Sequence, residues 1–479
     1  MIILREGDDF FYYSNGNICM DTLQAISPID GRYRFICDPL AHYFSEYALM
    51  CYRVRIECEY LIALSLHPNI GARIFREEEV SFLREMYRLS EQDARLIKQI
   101  EITGWQDIEA TRHDVKAVEY FIKLKIGETS LRDAREWVHF ALTSEDVNNI
   151  AYSLMLRDCL ENILVPSLEQ IYRQIESLAW EYQNIPMLSR THGQPASPTT
   201  VGKEFVVYAK RLIRQLDQIK GQSILVKLNG ATGNYNAHTA AYPDIDWRLF
   251  SEEFICGFNG DHTMLLQPNL YTTQIEPHDS WAELFDALRR VNVILLDFCQ
   301  DMWRYISDGW LAQKVNGGEV GSSTMPHKIN PIDFEQGEGN LGLGNALFSH
   351  FSVKLPISRL QRDLSDSTVE RNFGSAFGYC LVGYDAIGRG LNKIAVNENM
   401  IRSALIAHPE VIAEAIQTIL RREGISAPYE QLKKLTRGRQ VSMEDLNHFI
   451  TNLPVSEEIK QELLRITPQN YIGMADRLC

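Results

Sequence analysis

The sequence contains no CxxC pair and no cluster of His and Cys at metal-ligand spacing. Its nine cysteines (Cys19, Cys37, Cys51, Cys58, Cys159, Cys256, Cys299, Cys380 and Cys479) are scattered. That distribution argues against a disulfide framework or a zinc site and fits free thiols in a reducing cytoplasm. No apolar run is long enough to cross a bilayer, and Arg5, Glu6, Asp8 and Asp9 interrupt the place where a secretory leader needs an apolar core. Positive charge is also short: 48 Lys and Arg against 63 Asp and Glu leave a formal net charge of -15 over 479 residues. This excludes non-specific binding to nucleic acid or to an anionic membrane, so any anionic ligand needs a local basic pocket. Strand signals are confined to 2–4, 10–13 and a short piece around 224–228, and there is no low-complexity tract or solenoid-length repeat. Met20 offers an alternative start, which would make residues 1–19 an appendage.

What fills the chain is helical pattern. From His278 to Asp308 there are 31 residues without Gly or Pro. Apolar side chains recur in that stretch at Trp281, Leu284, Phe285, Leu288, Val291, Ile294, Leu295, Phe298, Met302 and Ile306. Such spacing predicts a helix of about eight turns, roughly 46 Å long. Ser280 and Glu283 stand at capping-box spacing and Gly309 supplies a stop. Glu128 to Val165 is a second run free of Gly and Pro, with Thr143 and Asp146 at capping-box spacing predicting a break inside it. Further helical patterns cover 38–66, 77–101, 167–184, 200–224, 333–352 and 366–394. Helices this long lie side by side in a bundle. The expected fold is therefore all-α, with residues 1–131 as an N-terminal domain, 132–395 as a central long-helix bundle and 396–479 as a small helical domain. Trp281, Phe285, Phe298, Trp303 and Tyr305 do not fit one narrow seam, which suggests burial against other subunits as well as against neighbouring helices.

Four polar segments interrupt this pattern. "SPIDGRY" (27–33) is a turn followed by Arg32 and Tyr33, and "TRHDVKAVEYF" (111–121) opens a helix, with Thr111 and Asp114 fitting its start and His113 in its first turn. "SRTHGQPAS" (189–197) sets His192 in a turn ahead of a helix beginning near Thr199, where Ser189, Thr191 and Gln194 could orient a proton-transferring ring. "GSSTMPHKINP" (321–331) has no hydrophobic period and follows Gly317 and Gly318, which suits a lid with a glycine hinge. Each segment alone is equally what an ordinary surface turn carries; together they concentrate the residues suited to acid–base work on an anion. Beside them, "QPNLYTTQIEPHD" (267–279) adds Gln274, and "SRLQRDLSDSTVERN" (358–372) adds Arg359, Arg362, Ser367, Thr368 and Arg371. Guanidinium groups there suit phosphate or carboxylate recognition. The glycines of "NGATGNYNAH" (229–238) lack the strand–turn–helix context of a nucleotide-binding fingerprint.

"GSSTMPHKINP" closely resembles the signature loop of the fumarase/aspartase superfamily, whose members cleave C–N or C–O bonds by β-elimination, usually with release of fumarate. His327 in "MPHK" points to the branch holding adenylosuccinate lyases and carboxymuconate cycloisomerases. "SPIDGRY", "RHDVKAVEYF", "HFALTSEDVNN", "SRTHGQPAS", "NGATGNYNAH", "YTTQIEPHD" and "TPQNYIG" then resemble the bacterial-type adenylosuccinate lyase family, from about Met20 to the carboxyl terminus.

The resemblance implies a three-domain helical subunit in a homotetramer whose active sites are each assembled from three chains, working in the cytoplasm without metal or organic cofactor. It implies fumarate release from adenylosuccinate, giving AMP, and from the succinyl-carboxamide ribotide of purine synthesis, giving AICAR. Ser322 matches the general base and His192 the general acid. Ser323, Lys328, Asn330, Thr143, Ser144 and Gln274 match positions that hold the succinyl carboxylates. His113 and Asp114 match substrate-binding positions, beside Arg112, which stands where some relatives have asparagine. Arg32, Tyr33, Arg362, Ser367, Thr368 and Arg371 match the nucleotide-binding set. Another lyase of the superfamily, of the argininosuccinate type, and a helical scaffold without activity are the competing expectations.

Overall fold

The computed structural model describes residues 22–314, 325, 328–436 and 441–479, with side chains described outside 434–436. Ser322, Ser323, Pro326 and His327 of the signature loop lie outside the described residues, as do the strand signals at 2–4 and 10–13.

Helix α1 (Glu46–Leu66) and helix α2 (Asp114–Gly127) belong to the amino-terminal part. The central part is built on α3 (Ser144–Cys159), α4 (Val165–Glu181), α5 (Val201–Lys220), α6 (Asp279–Ser307), α7 (Ile332–Lys354), the short α8 (Ser365–Glu370) and α9 (Phe373–Lys393). Helix α6 packs along α7 and α5, α7 along α9, and α4 along α5 and α9, giving the expected bundle. The apolar positions of α6 from Trp281 to Met302 that set its period are buried. One continuous set of buried side chains links this bundle to the helices beyond residue 396, and a second fills the space between α1, α2 and residues 75–138.

Helix ends follow the sequence at some points and depart from it at others. Thr143 and Asp146 form the expected capping box at the start of α3, and Gly309, at φ +73°, stops α6. Ser280 and Glu283 do not cap α6: its N-cap is His278, in a left-handed conformation, and the Ser280 hydroxyl instead accepts from the Leu225 N–H at 3.0 Å. The strand Ile224–Val226 passes at that point, and its amide outcompetes the helix end. Similarly, His113 rather than Thr111 caps α2, because its Nδ1 accepts from the Lys116 N–H. The pattern at 77–101 divides into Glu77–Met86 and Glu91–Ile102, with Ser90 capping the second.

Among the described residues three two-stranded pairs decorate the bundle. The segment around His192 is not a bare turn but the tip of an antiparallel hairpin, β1 (Pro186–Thr191) with β2 (Gln194–Thr200). His192 and Gly193 form its two-residue turn with φ +53° and +76°, positive at both places as a type I′ turn requires. The sequence hid these strands because Pro195 and Pro198 suppress the strand signal. Strand β3 (Ile224–Val226) pairs in parallel with β4 (Leu266–Pro268), and β5 (Leu311–Gln313), just beyond α6, pairs with β6 (Ile394–Val396).

Candidate active site

At the amino-terminal end of α6, several of the sequence-selected residues converge. Asp114 opens α2, and its carboxylate accepts from Arg53 on α1 at 2.8 Å and from Arg371 at 3.1 Å. Burial alone would raise this carboxyl; Arg53, the Val115 N–H and Arg371 together hold it down to about 2. Arg53 is itself buried and donates to Asn148 on α3 at 2.9 Å, so α1, α2 and α3 are tied through one guanidinium. His113 caps α2 through Nδ1, which leaves Nε2 3.4 Å from the hydroxyl of Ser144, the first residue of α3. A cavity of about 300 Å³ opens here, lined by Arg53, Asp114, Tyr152, Glu370 and Arg371.

The capping box of α3 extends the site. Thr143 donates its N–H to Asp146, whose carboxylate, fully buried, also takes the N–H groups of Asn229 and Gly230 and pairs with Lys227 at 3.0 Å. Lys227 donates onward to the carbonyls of Gly230 and Gln274, both at 2.8 Å. Gln274 in turn donates from its side chain to Ala231 and from its backbone to Gln361. One buried ion pair thus fixes Thr143, Ser144, Gln274 and the 361–371 segment at one place. In that segment Ser367, half-buried, donates to the Leu364 carbonyl, Thr368 is exposed, and Arg371 presents an exposed guanidinium. Arg362 turns inward, 3.0 Å from Glu145 and 3.6 Å from Asp366. Arg32 and Tyr33 lie in the turn that packs on α9, with Arg32 lining an open cavity of about 900 Å³. Arg112, left-handed at φ +48°, is exposed beside His113.

Beneath this surface lies a set of residues the sequence did not single out. Glu145, His278, Asp366 and Glu370 are all buried, with one donor atom from each within 4.8 Å of every other. Burial raises Glu145 to about 7 and pushes Glu370 well above the usual carboxylate range, Glu145 and Asp366 adding to the latter. Burial, with Arg362 and Lys354, lowers His278 to about 3. These four are the residues that could hold a metal. Arg53 and Lys227 were missed too, as was the pairing of Lys227 with Asp146, which the sequence marked only as a helix cap, although charged side chains on otherwise apolar stretches are a readable sign of buried pairing.

The other half of the expected site stands elsewhere. His192 is exposed at the hairpin tip, where Arg190 donates to Gly193 and lies 5.6 Å over the ring of Trp310. Trp310 follows the carboxyl end of α6, and Gln313 of β5 donates to the Ile329 carbonyl at 3.2 Å. Lys328 is exposed beside Ile329, and Asn330 is half-buried. His192, Lys328 and Asn330 therefore gather at one end of α6, and His113, Asp114, Ser144, Gln274 and Arg371 at the other. The 29 residues between them span about 43 Å.

Residues 31–343 match the family model described as "Lyase", and residues 358–472 match "Adenylosuccinate lyase C-terminal". The chain is 49% identical to the adenylosuccinate lyase of Escherichia coli (strain K12) over 459 residues, covering 95% of this chain and 98% of the relative. To that of Dictyostelium discoideum it is 49% identical over 474 residues, covering 96% and 98%. Among solved structures it resembles a fumarate lyase from Mesorhizobium sp. BNC1, with TM-score 0.70, 19% identity and coverage of 92% and 96%. It also resembles the 3-carboxy-cis,cis-muconate lactonizing enzyme of Pseudomonas putida, with TM-score 0.68, 20% identity and coverage of 92% and 95%.

Proposed function

The chain belongs to the adenylosuccinate lyase family, and on that premise we propose how its residues release fumarate and how its two separated half-sites meet. The activity is that of a carbon–nitrogen lyase acting on adenylosuccinate; the succinyl-carboxamide ribotide, which carries the same succinyl-amino group, is the second substrate. Ser322 takes the proton from the succinyl carbon next to a carboxylate, which leaves an aci-carboxylate dianion. The C–N electron pair then departs with the nitrogen, His192 supplies the nitrogen's proton, and fumarate and the amine remain.

A serine hydroxyl is a weak base in water, so Ser322 depends on positive potential in a site from which water is excluded. Lys328 supplies that potential, and with Ser323 and Asn330 it holds one end of the succinyl group. Thr143, Ser144 and Gln274 hold the other carboxylate. Three N–H-rich or hydroxyl-bearing segments fixed by the Asp146–Lys227 pair need no rearrangement as charge develops, which is what makes fixed donors effective. His113 and Asp114 orient the substrate beside them, next to Arg112. Arg371 and Arg32 offer exposed guanidinium groups to the nucleotide phosphate, with Tyr33, Ser367 and Thr368 around it; Arg362 orders the same segment from below. An acidic protein holds a polyanion because these groups converge.

The observation that carries this reading is that the His192 group and the His113 group lie toward opposite ends of α6, a helix about 43 Å long. No substrate of this class spans it, so the halves meet between chains. Antiparallel pairing of central helices places one chain's α6 carboxyl end against another's amino end, and closed symmetry repeats the contact. Helix α7 offers the surface for it: Ile332, Leu343 and Val353 are exposed, and Gly339 and Gly342 leave open space above the backbone. The proposed assembly is a homotetramer with shared sites. Among the described residues no helix is long and apolar enough to cross a membrane; the cysteines among those residues are all free, which supports a cytoplasmic location.

The test is direct: fumarate formation, followed in the ultraviolet, with adenylosuccinate and with argininosuccinate as separate substrates. Turnover of the first alone is expected. Turnover of argininosuccinate without adenylosuccinate would overturn the substrate.

A further inference from the structure

We propose that Lys393 is a positioning residue for the reaction: it ties the chain on both sides of the signature loop to the end of α9 and so sets where Lys328 and Asn330 stand. This role rests on the reading of Lys328 and Asn330 as holders of one end of the succinyl group. Lys393 is the last residue of α9, and the carbonyls of a helix's last turn lack partners within the helix. Its carbonyl accepts the Lys314 N–H at 2.7 Å. Strand β5, just before Lys314, lies against β6, with Gln313 opposite Ile394. The Lys393 ammonium donates to Asp333 at 2.7 Å, and Asp333 is the second residue of α7, which begins directly after the loop. Gln313 adds a third tie by donating to the Ile329 carbonyl at 3.2 Å. Lys328 and Asn330 are the immediate neighbours of Ile329, and Asp333 follows closely.

The ion pair is built to hold a position. Its Lys393 and Asp333 side chains are 12% and 8% exposed, so salt and solvent screen it little. It sets a cation at the carboxyl end of α9 against an anion in the first turn of α7, the arrangement that both helix dipoles favour. Arg389, one turn earlier on α9, donates to the same carboxylate at 3.2 Å and to Gln336 at 2.9 Å, and also pairs with Asp385. Two cations therefore stand against two carboxylates, and Asp333 keeps a partner when the Lys393 ammonium is removed. Packing between the helices has its own support, since Phe334, the next residue, is buried against Gly390. What the ammonium adds is the direction in which the chain enters α7. A pair that only fastens α9 to α7 is the competing account.

Lys393→Met keeps the aliphatic stem and the backbone carbonyl and removes only the ammonium. Studied as the full chain after gel filtration, this variant should assemble as wild type does. It should lose roughly 10- to 100-fold in kcat for adenylosuccinate, because a displacement of about an ångström at donors that act on developing charge is costly. Inhibition by AMP, which needs only the proposed nucleotide-binding groups toward the other end of α6, should stay unchanged. A merely structural pair would instead lower Tm and leave kcat per assembled chain within about twofold of wild type, and that result overturns the proposal. An equal loss of kcat and of AMP inhibition would mark general disruption and overturn it as well. Lys328→Ala, measured alongside, separates this role from the reading beneath it. Near-normal turnover there would remove Lys328 from the site and the positioning role with it; an inactive Lys328→Ala beside a fully active Lys393→Met would remove the role of Lys393 alone. Should Lys393→Met fail to assemble, Gln313→Leu, which deletes only the contact to Ile329, decides by the same measurements: a several-fold fall in kcat supports the tie, and an unchanged kcat overturns it.

Discussion

Arg371 reaches across 257 positions of sequence to place its guanidinium 3.1 Å from the carboxylate of Asp114. Both residues line the cavity of about 300 Å³, and Arg53 holds the same carboxylate from the buried side. Asp114→Asn leaves the buried Arg53 guanidinium facing two neutral amides, one at position 114 and one of Asn148, with the paired carboxylate charge gone, and a loss of roughly 2–4 kcal/mol in stability is expected from a buried charge without its counter-ion. The sign of the pH effect follows from the depressed carboxyl. Its contribution is complete above the unfolded value of about 3.9 and disappears as pH falls toward about 2. Urea unfolding of wild type and variant between pH 2 and 6 measures both; a variant as stable as wild type at pH 6 would remove Asp114 from this role.

His238 gives a pH dependence in a milder range. Its ring is fully buried, Nε2 is 3.4 Å from the Tyr60 hydroxyl, and Trp247 packs edge-on at 4.8 Å. Burial lowers it to about 4; the nearby Asp146 opposes and Lys227 adds to the shift. The unfolded chain, with an ordinary histidine near 6.5, therefore binds the proton more readily. Stability is full above about pH 6.5 and declines as pH falls toward 4, by roughly 3 kcal/mol for this group. His238→Gln removes the titration, so the difference in unfolding free energy between wild type and variant should grow with pH across that window. A constant difference would show that His238 does not titrate on unfolding.

Gly202 sets how closely α5 approaches α4 directly after the hairpin that carries His192. A methyl group there would overlap the Ala179 carbonyl oxygen and stand 2.5 Å from Cα of Gln183. Both are backbone atoms, which cannot turn aside as a side chain can. Gly202→Ala should destabilise by about 1–3 kcal/mol despite alanine's better helix propensity. Thermal unfolding checks it, and an unchanged or higher Tm would contradict the close approach.

Helix periods were the legible part of this chain: from Trp281 to Met302 the spacing of apolar residues alone identified the buried face of α6. The hairpin was not legible, since its strands contain three prolines and its register depends on a turn that only positive φ at His192 and Gly193 allows. Of the site, the exposed loops were readable by resemblance, because their residue types have no other pattern to obey. The support beneath them was not. Arg53, Lys227 and His278 look like ordinary helix and loop residues until folding over 61, 81 and 92 positions brings them to Asp114, Asp146 and Glu370. Such partnerships have no local period, so composition and spacing cannot report them.

The two halves of the site predict a particular behaviour on mixing. His192→Ala and Ser322→Ala, each removing a proposed proton-transfer group, should abolish fumarate release while leaving the oligomer intact by gel filtration. His113→Ala should weaken turnover strongly through substrate binding at the other end of α6. Because His192 and His113 stand toward opposite ends of α6, a helix about 43 Å long, the shared-site reading draws them from different copies. When His192→Ala and His113→Ala chains are mixed equally and allowed to exchange, random assembly gives on the order of a quarter of the sites both wild-type residues. Activity should return toward that fraction, with unmixed controls remaining inactive or weak. Exchange shown by mass-tagged chains, without any recovery of fumarate release, would place both halves of the site within one chain and overturn the shared-site reading.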